Sequence, residues 1–192
     1  MDNKYRNFMV FFCCSLSSCL IIFAAGHVAS RPTYPLLINK TVDLEINKSK
    51  RQLVIFRGDT EVATYKIALG NKPTGAKEKE GDMKTPEGTY HIRVKNPKSH
   101  FYLSLQIDYP NESDAADGLD SGRITKSLYK AIVEEIKNGK LPPQKTPLGG
   151  EIFIHGGGTA RDWTWGCIAL DNKDVKQLYE GIDLGTRVDI VP

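Results

Sequence analysis

The sequence has few cysteines and little net charge, and both shortages restrict what the protein can be. Of the four cysteines in 192 residues, three lie in the first 19 positions and only Cys167 lies beyond them. A single remaining cysteine excludes a disulfide-dense scaffold. The 26 basic residues are interleaved with 23 acidic residues and leave a net charge of +3, so the composition gives no reason to expect a nucleic-acid partner.

Motifs that would indicate several other kinds of protein are also absent. The chain contains no internal repeat and no block of like charge. No glycine-rich turn follows the first predicted strand, which disfavours a doubly wound nucleotide-binding sheet. No Gly-x-Ser-x-Gly sequence occurs, which argues against a common class of serine hydrolase. The chemistry must therefore come from other residues.

The first thirty residues have the pattern of an export signal. Residues 7–30 contain no Asp, Glu, Lys or Arg, two basic residues precede them, and 8–25 are mostly apolar. We therefore predict a signal peptide at 1–30, a linker at 31–40 and an exported protein. The apolar run is also long enough to remain as a membrane anchor, and 16–19 resembles a lipoprotein cleavage site. Removing the signal leaves 24 basic and 22 acidic residues, so the exported domain is nearly neutral.

Beyond position 40, apolar residues alternate or cluster mostly over strand lengths. They predict seven strands, at 42–46, 52–56, 61–69, 88–94, 101–107, 151–155 and 186–191. Two helices are predicted, one over 121–138 that Gly139 ends and one over 172–180 that Asp171 caps and Gly181 ends. Because the strands are mostly consecutive in sequence, we expect a mainly β fold with two accessory helices.

Two residues between positions 152 and 170 are candidates for catalysis. His155 ends an apolar strand where a glycine-rich loop begins, and Cys167 lies where the chain becomes apolar again. An imidazole beside a thiol activates it as a nucleophile, so the pair is a candidate base and nucleophile. A histidine satisfied in the interior and a cysteine packed in the core are the alternative interpretation. Two ligands are too few for a usual zinc site, and we expect no metal and no cofactor.

Backbone groups beside this pair complete the predicted site. The carbonyl of Gly156 can accept the Nδ1 proton of the histidine and fix its tautomer. Gly166 permits a substrate carbonyl to approach closely, and the N–H groups from Trp165 to Cys167 can form an oxyanion hole. We therefore include these backbone positions in the candidate site.

At these residues the sequence resembles the L,D-transpeptidases of the YkuD-like family. Residues 155–156 match the family's histidine-glycine pair, 164–168 match its Ser/Thr-x-Gly-Cys-hydrophobic signature, and 82–90 are similar to its upstream Thr-Pro-x-Gly segment. The resemblance implies a β-sandwich catalytic domain in which Cys167 is the nucleophile and His155 the base. It also implies that the substrates are peptidoglycan tetrapeptide stems in the periplasm or cell envelope.

The implied catalytic domain covers 41–192 and departs from the family pattern at two positions. Many members have a histidine where this chain has Trp165, and an arginine or asparagine where it has Ala169. Residues 101–111 and the short interval between histidine and cysteine are more similar to a branch that includes hydrolases. Transfer to an amine, hydrolysis of the same linkages and noncatalytic peptidoglycan binding therefore stay open. An envelope lipoprotein as acceptor or substrate and carbapenem-type β-lactams as covalent inhibitors are the other implied partners.

Six residues near the predicted pair are candidates for substrate contact. They are three aromatic residues, two charged residues and a threonine: Tyr102, Trp163, Trp165, Arg161, Asp162 and Thr164. The aromatic residues can wall a donor groove or belong to the core, and the charged ones can bind the stem or be solvated. We expect 84–88 to be a structural turn. The helix at 121–138 is either a lid beside the site or packing over a sheet edge.

Overall fold

The computed structural model describes residues 41–192, so the predicted signal peptide and linker lie outside the described residues. The described chain contains eight strands and three helices. The strands are β1 (Asp43–Asn47), β2 (Gln52–Arg57), β3 (Thr60–Lys66), β4 (Gly88–Ser99), β5 (Tyr102–Ile107), β6 (Phe153–His155), β7 (Ile168–Ala169) and β8 (Arg187–Val191). The helices are α1 (Glu112–Asp120), α2 (Lys126–Lys137) and α3 (Asn172–Gly181). The predicted mainly β class is confirmed.

The eight strands form one sheet in the order β3-β2-β1-β8-β4-β5-β6-β7. Strand β4 joins its two halves, because Gly88 to His91 pair with β8 whereas residues from Ile92 onward pair with β5. The outer strands also approach each other. Backbone hydrogen bonds of 2.8 and 2.9 Å connect Ala68, just beyond β3, with Ala169 of β7. The sheet therefore folds back on itself around a common interior, as expected for a β-sandwich-like domain.

Alternation of side chains along the strands builds this interior. In β1, Leu44 and Ile46 are buried between half-buried neighbours, which is the two-residue period of a strand with one covered face. A continuous apolar cluster includes residues of both halves of the sheet, among them Leu53 in β2, Ile154 in β6 and Val188 in β8. The strands that carry the candidate site are therefore anchored in the main core.

All seven predicted strands are present, with some ends shifted. Strand β4 continues to Ser99, beyond its predicted end, and β3 ends at Lys66, before its predicted end. Strand β7 was not predicted because two residues are too few to show an alternating pattern. It matters for the site, since its parallel pairing of Ile168 with Ile154 places Cys167 beside the strand of His155.

The structure confirms two predicted helices and corrects how they begin. Helix α2 begins at Lys126 and not near residue 121, because the Thr125 hydroxyl accepts a 3.2 Å hydrogen bond from the N–H of Leu128. Asp171 occupies the N-cap position of α3, but its predicted side-chain capping bond is absent. Its carboxylate instead accepts a hydrogen bond from the hydroxyl of Thr159 at 3.3 Å.

Helix α1 was missed, and with α2 it forms a second apolar cluster. The buried members of this cluster are Ala115, Ile124, Ile132 and Leu148. Because α2 buries its apolar face in this cluster, the structure favours a packing role for the helix and not the role of a lid. Among residues 41–192, no helix is both long and apolar enough to cross a membrane.

Candidate active site

His155 is the last residue of β6 and is almost fully buried. Its Nδ1 atom lies 2.5 Å from the carbonyl oxygen of Gly156. A carbonyl can only accept a hydrogen bond, so Nδ1 carries the proton and Nε2 is left with its lone pair. Burial lowers the pKa of His155, and the Gly156 carbonyl opposes this shift. The histidine is therefore neutral at neutral pH, as a general base requires.

The predicted role of Gly156 rests on both its carbonyl and its missing side chain. A Cβ at this position would lie 2.5 Å from the Oδ1 atom of Asn172 and 2.7 Å from the carbonyl oxygen of Phe101. The same Asn172 oxygen accepts a 3.0 Å hydrogen bond from the N–H of Gly157. Close packing against α3 and the residue before β5 thus fixes the carbonyl that orients the histidine.

Cys167 directly precedes β7 and is half-buried. It lines the same cavity as His155, with a volume of about 380 Å³. Its thiol donates a hydrogen bond to the carbonyl oxygen of Glu151, with Sγ and oxygen 3.6 Å apart. Burial raises the pKa of Cys167 to about 11, although a hydrogen bond from the Phe153 backbone to the sulfur opposes this increase. The resting pair is therefore a neutral thiol and a neutral imidazole.

Glu151, whose carbonyl accepts from the thiol, is held through its own N–H by a glutamine. The N–H of Glu151 donates to Gln144 Oε1 at 2.7 Å, and Gln106 donates to the same oxygen at 2.8 Å. The amide nitrogen of Gln144 donates to the carbonyls of Tyr109 and Pro142. Three of these bonds fix the Gln144 side chain and the fourth joins it to Glu151, which has a left-handed conformation with a φ of 53° that is uncommon for a residue other than glycine.

The loop before Cys167 is fastened by a hydroxyl and by close backbone contact. The Thr164 hydroxyl donates to the Cys167 carbonyl at 2.7 Å and accepts from the Gly166 N–H at 3.2 Å. A Cβ on Gly166 would lie 2.7 Å from the carbonyl oxygen of Lys84. Thr164 is buried, so its hydroxyl serves the loop and does not face the cavity.

The segment 84–88 contacts this loop but is not the structural turn that was expected, because residues 84–87 form no turn and Gly88 begins β4. The buried ammonium of Lys48 donates to the Thr85 carbonyl at 3.0 Å and to Glu87 at 2.7 Å. Burial lowers the pKa of Lys48, against the opposing effect of Glu87. The Thr85 hydroxyl in turn accepts a bond from the Gly70 N–H. This segment therefore supports the loop that precedes Cys167.

Among the backbone N–H groups predicted to form an oxyanion hole, Gly166 is already committed to Thr164. Those of Trp165 and Cys167 have no hydrogen-bond acceptor within the described part of the chain. The N–H groups at the two flanking positions are thus the ones free to stabilise an oxyanion.

Of the three aromatic residues predicted to contact substrate, one packs against His155 and two are exposed at the surface. Phe101, which was not predicted, stacks on the His155 ring with centroids 4.7 Å apart. Trp163 contacts the same imidazole edge-on at 5.5 Å, and its indole donates to the Gly158 carbonyl. Trp165 is 72% exposed and Tyr102 is 44% exposed. Phe101, and not Tyr102, lines the cavity.

The two charged loop residues have unlike environments. Asp162 forms an ion pair with Arg51 at 2.7 Å and accepts a hydrogen bond from the Leu69 N–H at 2.9 Å. These interactions lower its pKa although burial acts in the opposite direction. Arg161 is exposed. Asp162 therefore fastens the loop to the strands, whereas Arg161 remains available for other contacts.

Several cavity residues were missed by sequence reasoning. Besides Phe101, they include Lys98 and His100 at the tip of the β4–β5 hairpin, and Glu151 before β6. They come from the end of one hairpin and from a connecting loop, so no local motif joins them to the catalytic pair. Lys98 and His100, two basic residues just before Phe101, were the sequence feature that could have indicated a binding site at this hairpin. Within 41–192, no group of three or more His, Cys, Asp or Glu residues is arranged to hold a metal ion.

Fold and site together define a mainly β domain with a cysteine and a histidine in one cavity. The profile of the YkuD family, described as the L,D-transpeptidase catalytic domain, matches residues 41–190. The chain therefore belongs to the YkuD family of L,D-transpeptidase catalytic domains.

Individual proteins that are similar to this chain in sequence or fold are longer than it. YafK of Escherichia coli K12, provisionally named an L,D-transpeptidase, is 31% identical over 90 residues, which are 44% of this chain and 37% of YafK. The structure of Bd1075 from Bdellovibrio bacteriovorus is similar with a TM-score of 0.53 and 22% identity, over 79% of this chain and 48% of that one. A mutant of Pgp2, a helical cell shape determining protein of Campylobacter jejuni, is similar with a TM-score of 0.51 and 26% identity, over 78% of this chain and 46% of that one. This chain thus spans half or less of each relative.

Proposed function

We propose that the protein is an exported, cysteine-dependent L,D-transpeptidase that acts on peptidoglycan stem peptides in the cell envelope. The observation that carries the proposal is the shared cavity of His155 and Cys167, in a chain that belongs to the L,D-transpeptidase catalytic domain family. The lone pair on Nε2 of the histidine and the nearby thiol are the two groups that acyl transfer through a thioester requires.

In the proposed reaction, Cys167 attacks the carbonyl of the diaminopimelate residue that precedes the terminal D-alanine. The thiol first rotates from the Glu151 carbonyl toward His155, whose Nε2 accepts its proton as the carbon–sulfur bond forms. The backbone N–H groups of Trp165 and Cys167 stabilise the tetrahedral oxyanion. The imidazolium then gives its proton to the departing D-alanine amine, and a thioester remains on the cysteine.

The second half of the reaction releases the acyl group. His155 removes a proton from an acceptor amine, which attacks the thioester, and the thiol leaves with the proton restored. A second stem or a lysine of an envelope lipoprotein supplies this amine. Carbapenem-type β-lactams would acylate the same sulfur because their strained carbonyl is open to thiol attack.

Hydrolysis is the second candidate function, and the lining of the cavity favours it. Polar or charged side chains make up much of the lining, including Asn96, Lys98, Ser99, His100 and Glu151. Such a cavity admits water, which would resolve the thioester in place of an amine and make the protein an L,D-carboxypeptidase or endopeptidase.

Incubation of the purified full-length chain with defined muropeptides, followed by mass spectrometry, tests the proposal. New 3-3 crosslinks or exchange of D-amino acids would support transfer, and shortened or uncrosslinked stems alone would support hydrolysis. Cys167→Ala should abolish every product, and His155→Gln should lower the rate about a hundredfold or more. A chain that binds stems but gives no product, with no acyl adduct on Cys167, would instead be a noncatalytic module.

A further inference from the structure

The cavity that contains the catalytic pair has charges of opposite sign at its two ends. Lys98 and His100 lie at the tip of the β4–β5 hairpin, and Glu151 lies just before β6; all three are exposed. The strand register separates them, because Ser104 pairs with His155 near the tip whereas the N–H of Ile107 bonds to the carbonyl of Ile152 beside the glutamate.

The side chains of Lys98 and His100 are unengaged although the backbone of the hairpin tip is fixed. The Asn96 side chain accepts a 2.8 Å hydrogen bond from the Lys98 N–H, and the Ser99 hydroxyl accepts one from the Phe101 N–H at 3.2 Å. Within the described chain, the Lys98 ammonium and the His100 imidazole have no hydrogen bond or ion pair. Two nitrogen donors are therefore held beside the cavity with no acceptor from the protein.

This tip is also in direct contact with the catalytic histidine. Phe101 follows His100 in sequence and stacks on the imidazole of His155 at 4.7 Å. A substrate whose carbonyl lies near Cys167 could therefore place a negatively charged group at the tip. Because Glu151 disfavours a second negative group at the opposite end, the two ends impose one direction on a charged peptide.

We infer that Lys98 and His100 form a carboxylate-binding subsite that holds the acyl-donor stem peptide by one of its free carboxylates. This inference rests on the proposed function, since it names the substrate group that the same cavity would hold. Charge-assisted hydrogen bonds from an ammonium and an imidazole are suited to a carboxylate. Because the subsite is exposed, its contribution is modest and should weaken as salt is added.

Binding can be measured without turnover in the full-length Cys167→Ala chain, by calorimetry with a synthetic tetrapeptide stem. Three further stems each have a single carboxylate converted to an amide, at D-glutamate, at diaminopimelate or at D-alanine. We expect one of these amides to bind about fivefold to tenfold more weakly than the free stem. In a Lys98→Met and His100→Gln background this preference should fall below about twofold. Lys66→Met, at an exposed lysine in β3, is the matched control and should keep the full preference.

Equal affinity for all four stems, failure to bind any of them, or a preference that survives the double substitution would each overturn the subsite. Failure of the proposed function would be seen separately, as a lack of product from the wild-type chain with the same stems. Retention of the free-stem preference by Cys167→Ala and its loss in the double variant would support the subsite in either case.

Discussion

The thiol of Cys167 donates its hydrogen bond to the carbonyl oxygen of Glu151, 3.6 Å away, and not to His155, the other member of the candidate pair. The Nδ1 atom of His155 is engaged by Gly156. The resting site therefore holds its proton on sulfur, close to a carbonyl that disfavours a thiolate. In the proposed reaction, the thiol must therefore rotate toward the free Nε2 atom before it can be activated.

Alkylation of Cys167 should consequently report a weakly acidic thiol. Because burial raises its pKa to about 11, the thiolate is scarce at pH 7 and increases about tenfold per pH unit until it approaches that value. The rate of reaction with iodoacetamide, measured by mass spectrometry of the peptide that contains Cys167, should rise in the same way. A rate that is already constant between pH 6 and 8 would indicate a preformed thiolate–imidazolium pair and contradict this assignment.

The hydroxyl of Thr164 should stabilise the loop before Cys167, since it bonds both the Cys167 carbonyl and the Gly166 N–H. Thr164→Val keeps the shape but removes both bonds in a buried place, so we expect unfolding free energy to fall by about 1–2 kcal/mol and product formation to decrease. Thr164→Ser retains the hydroxyl and is the matched control. If urea unfolding and activity are the same for valine and serine, the hydroxyl does not fasten the loop.

Local sequence carried enough information to select the candidate pair but not its surroundings. His155, Gly156 and Cys167 lie within one short segment, and their residue types alone suggest their chemistry. Phe101 reaches the same imidazole from a different hairpin, so its stacking is a product of strand pairing that no local pattern records. Thr164 was expected to touch substrate, and only the folded loop shows that its hydroxyl is used internally.

The missed helix has a similar explanation. Helix α1 buries only Ala115 and Gly118, and two small residues do not produce an apolar period that a sequence pattern can detect. Its start was visible in principle. Asn111 and Asp114 form reciprocal capping bonds, and this three-residue spacing of capping side chains is a known start signal.

Gly166 is expected to tolerate no side chain, for two separable reasons. Its φ is 131°, and a Cβ would lie 2.7 Å from the Lys84 carbonyl. Gly185→Ala is the matched control, because its φ is 86° but nothing lies within 4 Å of the added carbon. We expect about 1 kcal/mol of destabilisation for Gly185→Ala and at least about 3 kcal/mol for Gly166→Ala, measured by urea unfolding. Equal losses would show that the contact with Lys84 is easily relieved.

Gln144 should stabilise the loop that presents the Glu151 carbonyl to the thiol. Gln144→Ala removes four hydrogen bonds and leaves Glu151 in a left-handed conformation without its acceptor. We expect about 2 kcal/mol of lost stability, against about 1 kcal/mol for Gln106→Ala, which removes one of the four. Alkylation of Cys167 at pH 8 should also be faster in Gln144→Ala than in Gln106→Ala. The same alkylation rate in both variants would mean that the glutamine does not control the thiol.

Asp114 should make stability depend on pH near neutrality. Burial raises the pKa of its carboxyl to about 6, while hydrogen bonds from Asn111 and Tyr90 oppose the increase. A raised carboxyl pKa means that the folded state prefers the protonated form. Stability is therefore lost as pH rises from the unfolded value near 4 through the folded value near 6, and not as pH falls.

Asp114→Asn removes this titration while keeping an oxygen that can accept the capping bond from Asn111. The free energy of unfolding of the wild-type chain, relative to this variant, should decrease by about 2 kcal/mol between pH 4 and pH 7.5 and change little above that range. Asp120→Asn, at an exposed position of the same helix, is the control and should give a nearly constant difference. Urea unfolding at half-unit pH steps measures both. A wild-type curve parallel to that of Asp114→Asn would show that this carboxyl is solvated in the folded protein and titrates like an ordinary aspartate.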